Sequence, residues 1–354
     1  MPILILLSVF VKVIVLMLQR LIDIGLFFHT DSYYYFNNAK YIIQKDFSFD
    51  LVSQFASHDG FYVVVTAFLY HIFESLYPIV GLNIILSSII PFIIAQILIE
   101  IDQSVDRKSS LIAAFIVSVQ PYYIHISIHI LKDVFFIFFT LSSILFLVRR
   151  DFILFLLFFF MSFMTRSYLS GFNLILFLSL GFASSSKLKI NFISIILIYL
   201  IFVVLIDLAG VLDIFISRGD VYFEGRDFFS SLPVFRVADF VDMFLFGLLS
   251  PLKSLLLPNI IFARSFSELM YGIDIFILQT IWLTILIKKK LVGGFTSGEF
   301  NLFLFSFGGF WFIEMTTPGY GPLVRYREVY VLVLLYLGIY VLLSRNMIFK
   351  LSRD

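Results

Sequence analysis

Long apolar runs separated by short polar connections make up most of this 354-residue chain. A helix needs about 20 apolar residues to cross the hydrocarbon core of a bilayer, so such runs predict membrane-spanning helices. The short alternating segments of a membrane β-barrel are absent. Twelve runs stand out, at 3–19, 61–73, 79–99, 111–130, 134–148, 152–165, 168–183, 191–210, 240–262, 270–287, 300–315 and 329–343.

Short basic connections determine how these runs thread through the membrane. Cytoplasmic loops of membrane proteins carry an excess of Lys and Arg, so these connections are predicted to lie on one side. If all of them are cytoplasmic, one pair of spans must lie between each connection and the next. This holds if 61–73 and 240–262 do not cross fully and are juxtamembrane or re-entrant helices. The connections are Arg107–Lys108, Arg149–Arg150, Lys187–Lys189, Lys288–Lys290 and the tail with Arg345, Lys350 and Arg353.

The predicted fold is therefore all-α: a polytopic membrane helix bundle of about ten transmembrane helices with outer-face juxtamembrane helices. Both ends lie inside, and residues 1–354 form one transmembrane domain with outer loops at 20–78, 211–269 and 316–328. Residues 2–19 lack a basic n-region and a small-residue cleavage site, which favours an uncleaved first span over a signal peptide.

Composition supports a membrane protein and narrows its chemistry. The chain is 61% hydrophobic and 14% charged, with 47 phenylalanines, whereas a soluble domain is near half apolar and a quarter charged. It contains no cysteine, so disulfides and thiolate chemistry are excluded. The net charge of +1 gives no sign of a nucleic-acid partner. The bilayer itself is the first predicted partner.

The first outer loop carries the most versatile residues. Asp31 and the tyrosines at 33–35 open an amphipathic segment for which Thr30 or Asp31 is a candidate cap of a helix at 32–44. Asp31 is either that cap, a general base toward a sugar hydroxyl, or a ligand of a divalent cation. His58 and Asp59 are further candidates in this loop.

A second group follows Pro121. Lys132 and Asp133 end an apolar run at the depth of a lipid phosphate, where they serve either as site residues or as a locally paired turn. His125 and His129 have the i, i+4 spacing of one helix face and are weak candidates for a metal site, because no Glu or Cys lies at matching spacing.

Arginines on the outer side are candidate phosphate ligands. Arg166 lies alone between two apolar runs, where it either snorkels to the surface or grips a phosphate in a bidentate fork. Arg325 and Arg327 open the last span on the face where positive charge is unusual. Glu314 either pairs with one of them or acts as a second carboxylate.

Two other features remain open. The stretch 217–242, which includes Arg218, mixes both charge signs and is either a solvated loop or a lid over a substrate groove. Lys12 and Asp207 lie within apolar runs, where a charged side chain is costly to bury and is a functional candidate by default.

The order of these features resembles the GT-C integral-membrane glycosyltransferases, in particular the protein O-mannosyltransferase and aminoarabinose-transferase branch. The similarity rests on Asp31 and its tyrosines after a first span, Lys132–Asp133 after a span that carries Pro121, and Arg325–Tyr326–Arg327 before the last span. The Phe- and Ile-rich composition is also similar to that of O-antigen polymerases. The resemblance covers 1–170 in layout and 316–343 more loosely.

This resemblance implies catalysis by Asp31 and Asp133, with Lys132, Arg325 and Arg327 on the donor phosphates. In the leading prediction Arg166 joins these phosphate ligands. Ser32 stands where the O-mannosyltransferase branch often has a second acid, and no counterpart of the soluble C-terminal domain of larger members is recognised. Both departures favour a glycan acceptor over a protein.

The leading functional prediction is a polymerase of undecaprenyl-linked oligosaccharide repeat units, making O-antigen or a similar surface polysaccharide. It would face the periplasm or cell exterior in the bacterial inner membrane and work with flippase and chain-length regulator proteins. The second prediction is transfer of one sugar from a polyprenyl-phosphate sugar to a glycan or lipid. The third, from another class, is a lipid-linked glycan flippase, although no repeated halves are detectable.

Overall fold

Most helices of the structure lie where the apolar runs of the sequence predict them. The computed structural model of the protein describes residues 1–22, 30–50, 52–53, 60–166, 169–173, 204, 276–277, 280–281, 285, 294–316 and 327–344. The helices in these ranges are α1 Pro2–Leu21, α2 Thr30–Gln44, α3 Phe61–Phe73, α4 Tyr77–Ile101, α5 Arg107–Ser118, α6 Pro121–Ser127, α7 Asp133–Val148, α8 Phe152–Thr165, α9 Ser297–Thr316 and α10 Glu328–Leu343.

Helices are the regular structure of every described range, and no strand occurs in them. α1 and α4 are long and apolar enough to cross a membrane, and α3, α7, α8 and α10 are shorter apolar helices. The predicted all-α helical membrane fold is confirmed. The predicted runs 168–183, 191–210, 240–262 and 270–287 lie largely outside the described residues.

Local side chains fix several helix ends. Asp106 accepts hydrogen bonds from the backbone N–H groups of Lys108 and Ser109 at the start of α5. Asp151 does the same for Leu154 N–H at the start of α8. Such caps satisfy donors that an isolated helix end would leave open.

The prediction of one continuous span at 111–130 is wrong, because the chain forms two helices there. α5 ends at Ser118, and α6 begins at Pro121 after a side-chain cap from Gln120. Proline lacks the N–H that would continue the hydrogen-bond ladder of α5, and it fits the first turn of a new helix. α6 ends at Ser127, so His129 lies beyond it and does not share a helix face with His125.

α1 and α8 bury polar residues and expose apolar ones. The buried residues of α1 are Ser8 and Lys12, whereas Ile3 is 79% exposed. α8 buries Ser162 and Thr165 and exposes Ile153. In a bilayer the apolar surface faces lipid, and polar side chains find partners on neighbouring helices.

The fold divides into two compact units, Met1–Ile175 with Ile339–Asp354, and Leu176–Gly338. In the first unit α7 packs on α4 and α8, α2 packs on α3, and α4 packs on α5. In the second unit Gly309 of α9 lies directly against the ring of Tyr330 in α10. The prediction of one domain over 1–354 concerns independent folding and stays a prediction.

Candidate functional site

The structure describes about half of the predicted site residues. Asp31, Lys132, Asp133, Arg166 and Arg327 are described, and Glu314 lies in α9. The candidates His58, Asp59, Arg218 and Arg325 lie outside the described residues.

Asp133 and Arg166 form a buried ion pair. The Arg166 Nη2 atom donates a hydrogen bond to Asp133 Oδ1, and their side chains are 2–3% exposed. Asp133 is the first residue of α7, where a carboxylate also interacts favourably with the helix dipole. The Arg166 guanidinium lies over the Phe136 ring, 5.8 Å from its centroid. The two charges compensate each other, so each makes burial of the other less costly.

Asp31 has a different environment from Asp133. It lies in the first turn of α2, is half-buried, and is followed by Ser32, which is fully buried. The predicted helix at 32–44 is present. It begins at Thr30, so Thr30 and Asp31 lie within the helix and neither is the N-cap residue that was predicted. The Asp31 side chain is therefore less buried than that of Asp133.

A short segment connects α6 to α7, and we call residues Ile128–Lys132 the corner. Its carbonyl groups accept hydrogen bonds from two other helices: Ser32 Oγ of α2 donates to Ile130 O at 3.1 Å, and Asn83 Nδ2 of α4 donates to His129 O at 2.8 Å. These bonds hold α2, which carries Asp31, against the corner, which carries Lys132. The Lys132 side chain is half-buried.

Sequence reasoning missed Asn83 and gave Ser32 no structural role. Asn83 is fully buried, as are Ser87 and Ser88 one turn later on α4. A signal was present, because an amide side chain inside a 25-residue apolar helix is costly to bury unless it has a partner. The sequence of α4 alone does not reveal that the partner of Asn83, the His129 carbonyl group, lies 46 residues further along the chain.

A separate polar cluster joins α1 to α4 and α6. Lys12 Nζ donates to Ser87 Oγ at 2.8 Å and lies 4.7 Å from the centroid of the Tyr123 ring. The His125 and His129 rings are in edge contact at 4.6 Å, and His129 Nε2 lies 3.2 Å from Gln19 Nε2. These contacts give the intramembrane lysine and both histidines protein partners.

Metal ligation has little support in the described part of the chain. No group of three or more His, Asp or Glu side chains there is arranged to hold an ion. The predicted divalent cation at Asp31 stays a prediction.

Arg327 presents a contrasting environment in the second unit. The residue is 1% exposed and immediately precedes α10, and its carbonyl accepts from Tyr330 N–H at 2.9 Å. Its Nε, Nη1 and Nη2 atoms have no hydrogen-bond partner among the described residues. A guanidinium carries five N–H donors and no acceptor, so these nitrogens could be satisfied only by acceptor atoms.

These features define an α-helical membrane protein with acidic and basic side chains gathered at helix ends. A sequence model of the dolichyl-phosphate-mannose-protein mannosyltransferase family matches residues 3–229, which is more than half of the chain. The chain belongs to this family. It is therefore a membrane glycosyltransferase of the GT-C type, a class that uses polyprenyl-linked sugars. No curated protein and no solved structure matches it.

Proposed function

We propose that this protein transfers one sugar from a polyprenyl-phosphate sugar to a hydroxyl group of a glycan or lipid on the outer face of the membrane. The family description supports the donor, because it names a sugar carried on dolichyl phosphate; its acceptor is a protein, so the glycan or lipid acceptor is proposed on the sequence departures alone. The matched residues 3–229 include Asp31, Lys132, Asp133 and Arg166.

One observation carries the proposal: the hydrogen bond from Ser32 Oγ to Ile130 O, which holds the start of α2 against the corner. Asp31 precedes Ser32, and Lys132 and Asp133 follow the bonded carbonyl group. Since Asp133 is buried in its pair with Arg166, the half-buried Asp31 is the better placed of the two acids to meet an acceptor.

In this mechanism the Asp31 carboxylate accepts the proton of the acceptor hydroxyl as its oxygen attacks the anomeric carbon. The bond between that carbon and the phosphate oxygen breaks, and the polyprenyl phosphate leaves with the electron pair. Lys132 balances the charge that develops on the leaving phosphate. Asp133 and Arg166 hold the start of α7 in place through their ion pair.

Arg327 is proposed on its own evidence as a ligand of polyprenyl phosphate, together with Arg325. The support is the buried guanidinium, whose nitrogens lack hydrogen-bond partners among the described residues. Arginine suits this task because its planar fork matches the geometry of phosphate oxygens.

The polymerase interpretation stays a prediction, together with its undecaprenyl-linked repeat units, its flippase and chain-length regulator partners, and its place in the bacterial inner membrane. The family match supports a transferase over a lipid-linked glycan flippase. A ladder of products from a pyrophosphate-linked oligosaccharide would favour the polymerase, and a single addition from a monophosphate-linked sugar supports the present proposal.

The test is sugar transfer by the purified protein in liposomes, with a radiolabelled polyprenyl-phosphate sugar as donor and membrane glycolipids as acceptors. Asp31→Asn keeps the shape of the side chain but removes the base, so transfer is expected to fall by roughly 10²–10⁴-fold. Asp50→Asn, at an exposed aspartate of the same outer loop, is the matched control and keeps the wild-type rate. Equal rates for Asp31→Asn and the wild type would remove Asp31 from the mechanism.

A further inference from the structure

The corner between α6 and α7 is held by side chains that come from distant parts of the sequence. Three consecutive carbonyl groups, those of residues 129, 130 and 131, accept side-chain hydrogen bonds. Asn83 Nδ2 donates to the first at 2.8 Å and lies 3.3 Å from the third, and Ser32 Oγ donates to the second at 3.1 Å. Within the corner, Leu131 N–H also donates to His129 O at 3.0 Å.

The chemistry of these groups fixes how Asn83 is oriented. A carbonyl oxygen only accepts hydrogen bonds, so the two corner carbonyls must face the amide nitrogen of Asn83 and not its oxygen. The same nitrogen lies 3.1 Å from the Tyr62 hydroxyl oxygen. Asn83, Ser32 and Tyr62 are all fully buried, so water does not replace a bond that is lost.

The corner and one of its two donors are next to residues of the candidate site. Ser32 directly follows Asp31, and residue 131 directly precedes Lys132. Asn83, the second donor, is on α4, which packs on α7. Contacts between helices therefore set the separation between Asp31 and the start of α7, since the backbone links the two only through about 100 residues. The ring contacts of Tyr62 with Tyr35 and Phe135 contribute to it, and the bonds of Ser32 and Asn83 act directly on the corner.

We propose that Ser32 and Asn83 are positioning residues for glycosyl transfer, which set the distance between Asp31 and the Lys132–Asp133 corner. The inference rests on the proposed function for its catalytic part, because it assigns Asp31 and Lys132 to the same reaction. Its structural part, a corner fixed by two buried donors, depends only on the contacts above.

Two variants test the pair. Ser32→Ala removes one oxygen atom and leaves the Ile130 carbonyl without its donor. Asn83→Asp keeps the shape of the side chain but turns carboxylate oxygen toward two carbonyl oxygens. Ser143→Ala is the matched control. Ser143 is a buried serine of α7, and among the described residues its hydroxyl donates only to a carbonyl of its own helix, that of Thr140.

Amide hydrogen exchange, read by mass spectrometry in lipid nanodiscs, reports on the corner without any need for activity. Both variants are expected to speed exchange of peptides that cover 128–132 and to leave peptides of α8 unchanged. Small misplacements of reacting groups cost up to about 10²-fold in rate, so kcat is expected to fall roughly 10- to 100-fold while KM for the donor stays within about twofold. The control changes neither quantity.

The outcomes separate the two proposals. A wild-type protein that transfers no sugar from a polyprenyl-phosphate donor overturns the proposed function. An active wild type whose Ser32→Ala and Asn83→Asp variants keep its kcat, or whose corner peptides exchange at the wild-type rate, overturns the positioning role alone. Should Asn83→Asp fail to accumulate in the membrane, Ser32→Ala decides the question by itself.

Discussion

Among the described residues, three buried basic side chains have three different environments. Arg166 pairs with the Asp133 carboxylate, and Lys12 donates to the Ser87 hydroxyl and faces the Tyr123 ring. The Arg327 guanidinium has no hydrogen-bond partner among the described residues. A buried charge without hydrogen-bond partners destabilises the fold, which makes Arg327 a candidate for mutation.

In the absence of polyprenyl phosphate, Arg327→Met is expected to be more stable than the wild type. The variant is also expected to bind phosphate more weakly. The change replaces a buried, unsatisfied cation by an apolar side chain of similar length, which removes a penalty of about 1–3 kcal/mol. The thermal midpoint in detergent therefore rises. Added polyprenyl phosphate stabilises the wild type but no longer stabilises the variant.

Arg107→Met provides the control, because Arg107 is exposed at the start of α5. This variant keeps the full thermal shift produced by polyprenyl phosphate. If Arg327→Met keeps that shift as well, the phosphate is bound elsewhere and Arg327 has a different role.

At the scale of helices, packing depends on small and polar residues at the interfaces. Lipid removes the hydrophobic drive that joins helices in water, so close approach and hydrogen bonds have to supply the attraction. Ser8 of α1 bonds Ser88 of α4 at 3.1 Å in the first unit. In the second unit a Cβ atom on Gly309 would lie 2.0 Å from the Tyr330 ring.

Gly309→Ala is therefore expected to separate α9 from α10 and to lower the free energy of unfolding by about 1–3 kcal/mol, the usual cost of overpacking. Gly81→Ala is the matched control, since a Cβ there meets nothing within 4 Å and Gly81 also lies in a helix. Alanine favours helices over glycine, so this control keeps or raises stability. Thermal unfolding in detergent compares the two, and equal midpoints would show that Tyr330 moves aside without cost.

At the scale of the whole molecule, the sequence predicts which side of the membrane each polar segment faces. The basic connections are predicted to lie in the cytoplasm, and the loop 20–78 with Asp31 is predicted to lie outside. α4 separates these regions, and its 25 residues span about 38 Å, enough to cross the hydrocarbon core. The absence of cysteine makes the sidedness directly measurable.

Single cysteines at Asn37 and Lys108, both exposed positions, test this arrangement. A membrane-impermeant maleimide added to intact cells is expected to label Asn37→Cys at once and Lys108→Cys only after the membrane is permeabilised. The opposite pattern would invert the topology and place Asp31 on the cytoplasmic side. The unmodified chain serves as the unlabelled control.

Most described helices were predictable because their signals are local. Apolar runs, Pro121, Asp106 and Asp151 act within a few residues of themselves, and the predicted run 134–148 agrees with α7 at Asp133–Val148 to one residue. The break after Ser118 was missed because apolar side chains continue through it, although Pro121 was its signal.

By itself the sequence determined that this is an α-helical membrane protein, and it drew attention to Asp31, Asp133 and Arg166. The tertiary structure decided the partners: Asp133 binds Arg166, 33 residues away, and Ser32 binds Ile130, 98 residues away. Hydrogen bonds of this kind depend on which helices pack together. That packing is set by the burial of whole helix faces, so no spacing along the chain reveals it.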